Sequence, residues 1–250
     1  SGVSGISADG KRYLFDVGAA LEGPSPFCPD YILPKAPYAP GFVKSPLVMY
    51  LASQRIKATT GEALGDVYDP WFNRRFDHFC SHQHTPYTGE PSGYHCAVRH
   101  GNILTFAHPV FGLYHASGSV AVKQYVLKAL RGFIGDAALV ETSMPSTARV
   151  SVMDQPGEKR RIVHLLYATT VNRGGGLRQR GARAEGRLGT VEVIEELLPL
   201  ADVTVRVRAA RKVACVTLEP QGEPLPFAQK GRWVTFSLKS FTCHQMVVLA

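Results

Sequence analysis

Four side chains able to bind metal or move protons fall at alternate positions in one run, WFNRRFDHFCSHQHTP: His78, Cys80, His82 and His84. On an extended strand successive side chains turn to opposite faces, so this spacing predicts all four on one face and Asp77 on the other. By residue type they suit zinc. By spacing they suit it less. Positions two apart on a straight strand are separated by ~6.5–7 Å, so neighbours can share an ion and the outer pair cannot. A turn at Thr85-Pro86 would bring His84 round, and His95 or Cys96 would complete a set. The reading taken is no metal and no cofactor. The histidines are then hydrogen bonded and the thiol packed, and the polar face meets a partner or a cleft.

Other chemistries are less well supplied. Glycoside hydrolysis needs two carboxyl groups flanking the scissile bond, one as acid and one as nucleophile or base. The candidates are Asp69, Asp77, Glu90, Glu195 and Glu196, and their spacing pairs none of them. No catalytic residue is assigned. Residues 172–187 are rich in arginine and glycine, as nucleic-acid-binding segments can be, but lack an aromatic residue on which a base would stack. The simpler reading is a flexible loop, with no nucleic acid bound. Trp233, Tyr167 and Phe241 offer ring faces to a sugar, yet Trp233 lies in an apolar strand and is expected in packing.

The elements that must hold these residues can be read along the chain. Its 250 residues suffice for one large or two modest domains. A hydrophobic share of 45% against 19% charged excludes bulk disorder. The net charge of +8 would attract acidic partners, but the excess gathers in residues 172–187. No apolar run approaches the ~20 residues that span a bilayer, so no membrane partner is expected. The start, Ser1-Gly2-Val3-Ser4-Gly5, has no initiator Met and no signal-peptide pattern, so a fragment of a longer protein is expected. Five scattered cysteines without a CxxC pair suggest reduced thiols and a cytoplasmic setting.

Residues 21–46 carry Pro24, Pro26, Pro29, Pro34, Pro37, Pro40 and Pro46 and read as a loop laid over a surface. Strands are expected at 47–51, at 56–58 and 63–68, and on both sides of a His100-Gly101-Asn102 turn. Val122, Tyr125, Val126, Ala129, Leu130 and Phe133 follow the i, i+3, i+4 rule, which predicts a helix over 120–133 stopped by Gly135. Beyond residue 147 strand follows strand, and Val203 to Arg208 alternates apolar with polar, as in a β-sandwich. The domain boundary is placed at Met144-Pro145-Ser146, giving domains 1–144 and 145–250.

Gly5-Ile6-Ser7-Ala8-Asp9-Gly10, the run WFNRRFDHFCSHQHTP, GNILTFAHPVFGLY at 101–114 and the tail from 161, with its ending PLPFAQKGRWVTFSLKSFTCHQMVVL, together resemble one group. These are proteins with a β-galactosidase trimerisation domain, related to glycoside hydrolase family 42 and to the hypothetical glycosyl hydrolases beside it. The resemblance covers essentially the whole chain. It implies a catalytic (β/α)8 barrel outside this chain. The chain itself would be α/β plus all-β: the later part of a class I glutamine-amidotransferase-like (flavodoxin-like) domain, then an antiparallel β-sandwich. In such amidotransferases the catalytic His and Glu share a His-Pro-Glu motif after a buried strand. Here Phe106-Ala107-His108-Pro109-Val110 stands in that place, with Val110 where the orienting glutamate would be. Cys28, set between Pro26 and Pro29, does not suit a nucleophile elbow. The triad is read as lost, with His108 joining His78, Cys80, His82 and His84 as an interface or cleft-facing residue. The function implied is a non-catalytic oligomerisation and support region of a glycoside hydrolase. Its partners would be further copies in a homotrimer, the catalytic barrel and, through that enzyme, carbohydrate. The alternative is a free-standing amidotransferase-like or carbohydrate-binding protein.

Overall fold

The structure, a computed structural model, describes residues 5–174 and 190–250, so most of the arginine- and glycine-rich run at 172–187 lies outside the described residues. The chain divides into two compact units, Ser1–Asp136 and Ala137–Ala250. Among the described residues no helix is long and apolar enough to cross a membrane.

The first unit contains β1 (Ala19–Pro24), β2 (Asp30–Pro34), β3 (Leu47–Met49), β4 (Gln54–Ala58), β5 (Glu62–Tyr68), β6 (His95–His100) and β7 (Ile103–Phe106), then α1 (Val110–Ser117) and α2 (Val120–Ile134). Its main sheet has the order β3-β2-β5-β6-β7, and β1 pairs with β4. Every pairing is antiparallel. This corrects the flavodoxin-like expectation. Parallel neighbours need a crossover of a dozen or more residues, usually a helix, whereas both helices here follow the last strand of the sheet. Strands also enter the proline-rich region. Pro24 ends β1 and Pro34 ends β2, positions where a missing backbone donor is tolerated.

The helix predicted over 120–133 is α2. Ser119 caps its first turn by accepting from the Val122 N–H, and Gly135, at φ +53, ends it. Its buried Val122, Tyr125, Val126 and Ala129 pack with Val110 and Leu113 of α1 and with Ile32, Met49, Leu64, Val67 and Ala97 of the sheet. The Tyr125 hydroxyl donates to Cys96 Sγ at 3.3 Å, and burial pushes the Cys96 thiol up to about 12.

The second unit contains β8 (Val140–Thr142), β9 (Arg149–Gln155), β10 (Arg160–Tyr167), β11 (Val171–Gly174), β12 (Thr190–Val193), β13 (Leu200–Arg208), β14 (Val216–Glu219), β15 (Glu223–Pro224), β16 (Phe227–Lys230), β17 (Trp233–Phe241) and β18 (Cys243–Leu249). One sheet has the order β15-β14-β18-β10-β9 and the other β16-β17-β13-β8, with β11-β12 a separate pair. Val163, Leu165, Val216, Val247 and Leu249 of the first sheet join Val203, Val205, Val207, Val234, Phe236 and Leu238 of the second in one core. This is an antiparallel sandwich. β8 pairs with β13 and so belongs with the second unit. Trp233 faces the guanidinium groups of Arg206 and Arg208, at 4.8 and 4.9 Å from its ring centroid. Those cations occupy the ring surface that a sugar would need.

Gly18 shows how tightly the first unit is closed. It sits at φ +68, and its carbonyl accepts from the N–H groups of Thr59 and Gly61 at 2.8 and 2.9 Å. A Cβ there would stand 2.6 Å from His100 Cβ and 2.8 Å from Gly61 Cα. Gly18→Ala is therefore expected to cost about 2–4 kcal/mol through backbone strain and overpacking. Urea unfolding followed by circular dichroism would show an earlier transition, and an unmoved midpoint would contradict the close approach. Because the thiolate is the reactive form, iodoacetamide at pH 8 is expected to label exposed Cys28 and Cys215 and to spare Cys96. Peptide mapping by mass spectrometry reads the outcome, and labelling of native Cys96 at a rate like Cys28 would overturn it.

Candidate functional site

Three polar side chains meet inside the first unit. Asp30 opens β2, Ser53 precedes β4 and His108 follows β7. All are buried, at 1%, 2% and 3% exposure. His108 Nε2 donates to Asp30 Oδ1 at 2.5 Å, and Ser53 Oγ donates to Asp30 Oδ2 at 2.7 Å. The imidazole is thus oriented, and the carboxylate that orients it comes from Asp30, a residue 78 positions away, rather than from position 110. Val110 instead donates its N–H to the His108 carbonyl. The carboxylate lies between the hydroxyl and the imidazole, so the serine donates to Asp30 and is not activated by histidine. His108 is a buried clamp.

A second polar group leads from this core to the histidine-rich run. Arg55 is 6% exposed. Its guanidinium lies 2.8 Å from Asp69 Oδ1 and over the rings of Tyr94 and Phe27, at 4.5 and 5.8 Å. Tyr94 donates to Glu22 at 2.8 Å, which also pairs with Lys57. Asp69 stands at the neck of a loop. The Thr88 N–H donates to the Asp69 carbonyl and the Trp71 N–H to the Pro86 carbonyl, at 2.8 and 3.1 Å, and Pro70 bridges Tyr87.

Residues 71–86 beyond this neck form no strand, so the alternation that put four donors on one face does not hold. His78 stacks on Phe72, with centroids 3.9 Å apart. Cys80 directs its thiol inside the loop to the carbonyls of His82 and His84, both at 3.6 Å. His82 is exposed. His84 Nε2 meets the Tyr50 hydroxyl at 2.9 Å. Among the described residues no three His, Cys, Asp or Glu side chains converge as metal ligands would.

The loop is held by polar contacts. Asn73 accepts from the Cys28 N–H at 3.3 Å and donates to the Pro26 carbonyl at 2.7 Å. Arg74 reaches the Gln83 carbonyl at 3.2 Å, and Tyr31 donates to the Thr85 carbonyl at 2.6 Å. What the loop presents outward is aromatic: Trp71 is 69% exposed, Phe79 64% and Phe76 100%. Three large apolar rings thus stand exposed on one tethered loop. The sequence reading passed over them, although Phe76 and Phe79 set among charged residues were the available signal. Asp30, Ser53 and Arg55 carried no local signal.

Over 99% of its length the chain matches the structure of α-L-fucosidase isoenzyme 2 from Paenibacillus thiaminolyticus, with a TM-score of 0.85 and 34% sequence identity. It spans 36% of that chain. No family model and no curated protein matches. The likeness is thus to part of a glycoside hydrolase, and not to a β-galactosidase in particular.

Replacing Asp30 by Asn leaves the imidazole and the serine hydroxyl without a charged acceptor in a buried place. Asp30→Asn is expected to lower stability by about 2–4 kcal/mol, and Ser53→Ala by about 1–2 kcal/mol. Urea denaturation at neutral pH measures both, and equal, small losses would show that Asp30 is not the centre of the group.

Proposed function

We propose that this chain is the assembly and support part of a glycoside hydrolase whose catalytic barrel lies outside it. The observation that carries the reading is the loop at 71–86, which is tied down by its own hydrogen bonds and turns Trp71, Phe76 and Phe79 to solvent. Apolar rings held out of a protein's own core gain by covering against another surface, at roughly 25 cal/mol per Å² of apolar area removed from water. That surface is a further copy of the chain in a homo-oligomer, a trimer on the family resemblance, or the catalytic barrel. Exposed His82 and half-buried His84 flank the rings and would meet the same partner. The buried Asp30–Ser53–His108 group has no access for a substrate, which favours a supporting role over an amidotransferase one.

The likeness to an α-L-fucosidase, at 34% identity over 99% of this chain, favours an α-L-fucoside over a β-galactoside as the substrate of the parent enzyme. Carbohydrate would then reach this chain only through that enzyme.

The test uses the full-length enzyme. Phe76→Ala with Phe79→Ala, and separately His82→Ala with His84→Ala, are expected to lower the assembled mass in light scattering towards that of the monomer, or to reduce the turnover of a nitrophenyl α-L-fucoside by tenfold or more, given about 1–3 kcal/mol per buried side chain. Unchanged mass and unchanged turnover in both variants would sink the proposal. Turnover of a nitrophenyl β-galactoside alone would leave the support role standing and remove the fucoside assignment.

A further inference from the structure

The outer face of the five-stranded sheet carries donor side chains that the support role does not use. In the β10–β18 pairing His164 stands opposite Met246, and Leu166 opposite His244. Val163 and Leu165 of β10, and Val247 and Leu249 of β18, point into the sandwich core. Alternation therefore turns His164, His244 and Met246 outward together. The two imidazoles touch: His164 Nδ1 and His244 Nε2 are 3.1 Å apart. Their ring centroids are 5.3 Å apart and their planes 14° apart, so the rings lie nearly edge to edge and share one proton.

That spacing is close to what one ion imposes on two ligands. Nitrogens at ~2.0–2.1 Å from a tetrahedral ion stand about 3.3 Å apart. Rotation about the soft terminal torsion of the exposed His244 turns its lone pair from the neighbouring ring to a shared point above the sheet. Met246 offers a third donor beside them by register. It lies directly across from His164 and two positions along the strand from His244. Cross-strand and diagonal neighbours, with Cβ atoms ~4.5–8 Å apart, are within reach of a common ion for side chains of this length. Glu219 stands opposite Met246 on the other side, and one of its carboxylate oxygens accepts from Thr217 Oγ1 at 2.9 Å.

We propose that His164, His244 and Met246 form a site for one copper(I) ion. Two neutral imidazoles and a thioether are soft, uncharged donors. Thioether ligands select copper(I), and imidazole is a good ligand for copper. Binding is plain ligation. Copper keeps its oxidation state, and the ring that donates in the imidazole pair takes its other tautomer, so that its proton moves to the nitrogen facing away from the metal and none is released.

Free thiols also take copper(I), so the test reads the site locally. The chain, with its accessible thiols alkylated by iodoacetamide, is titrated anaerobically with the copper(I) acetonitrile complex and followed by NMR. The ring nitrogens of His164 and His244 and the methyl group of Met246 are expected to shift together and to saturate at one equivalent. His164→Ala and His244→Ala should each weaken binding by about tenfold or more. Met246→Leu should weaken copper(I) but leave the weaker binding of zinc to the two histidines unchanged. Copper that leaves these three resonances unmoved, or binds all three variants as tightly as the parent, overturns the proposal.

Discussion

A buried carboxylate joins three stretches of the first unit that the sequence keeps far apart. Asp30 receives one hydrogen bond from Ser53, 23 positions on, and one from His108, 78 positions on. A carboxylate taken out of water is costly unless its lone pairs are met by donors. Here two donors meet it, and so the start of β2, the approach to β4 and the exit from β7 are drawn to one point. The backbone follows the same path, with the Gln54 N–H donating to the Ala107 carbonyl at 2.9 Å. His108 then leads through Pro109 into α1, so the clamp also sets where the helices begin. On the other side the next residue along β2, Tyr31, donates to Thr85 at the end of the aromatic loop. The interior clamp and the outer loop thus share one strand.

How much of this was legible follows from which forces are local. Helix α2 could be read because its apolar stripe, its Ser119 cap and its Gly135 stop all lie within the segment. β13 could be read because Val203, Val205 and Val207 alternate with polar residues. Helix α1 was not read. It is short and carries Gly112 in its middle, so its pattern is weak and its place depends on burying Val110 and Leu113 against the sheet. The histidine-rich run misled in a different way. Its polar residues recur with period two, but the intervening Asp77, Phe79, Ser81 and Gln83 make no apolar face. A strand needs one face to bury, and without it the run closed into a loop at its neck.

The Asp30 group was illegible for a further reason. A lost His-Pro-Glu glutamate was the local signal, and it pointed to an unoriented histidine. Orientation depends on distance in space, and a carboxylate from another strand supplies it as well as a neighbour in sequence does. The antiparallel sheet was hidden in the same way. Short apolar runs announce strands but not their direction, which is set by the connections between them.

The sandwich and the loop treat their aromatic residues in opposite ways. Trp233 lies beneath Arg206 and Arg208, whose cations stack on its ring and keep the surface polar. Among the described residues Trp71, Phe76 and Phe79 have no such cover. The loop that carries them draws its order from backbone bonds at the neck, from Asn73 and from the Cys80 thiol, none of which consumes an aromatic ring. Had the rings formed the loop's own core, they would stabilise it and be lost to any partner. Held by polar contacts instead, the loop is ordered before it binds. Much of the conformational entropy that docking would otherwise cost is then already spent in folding, and the apolar area remains free to drive association.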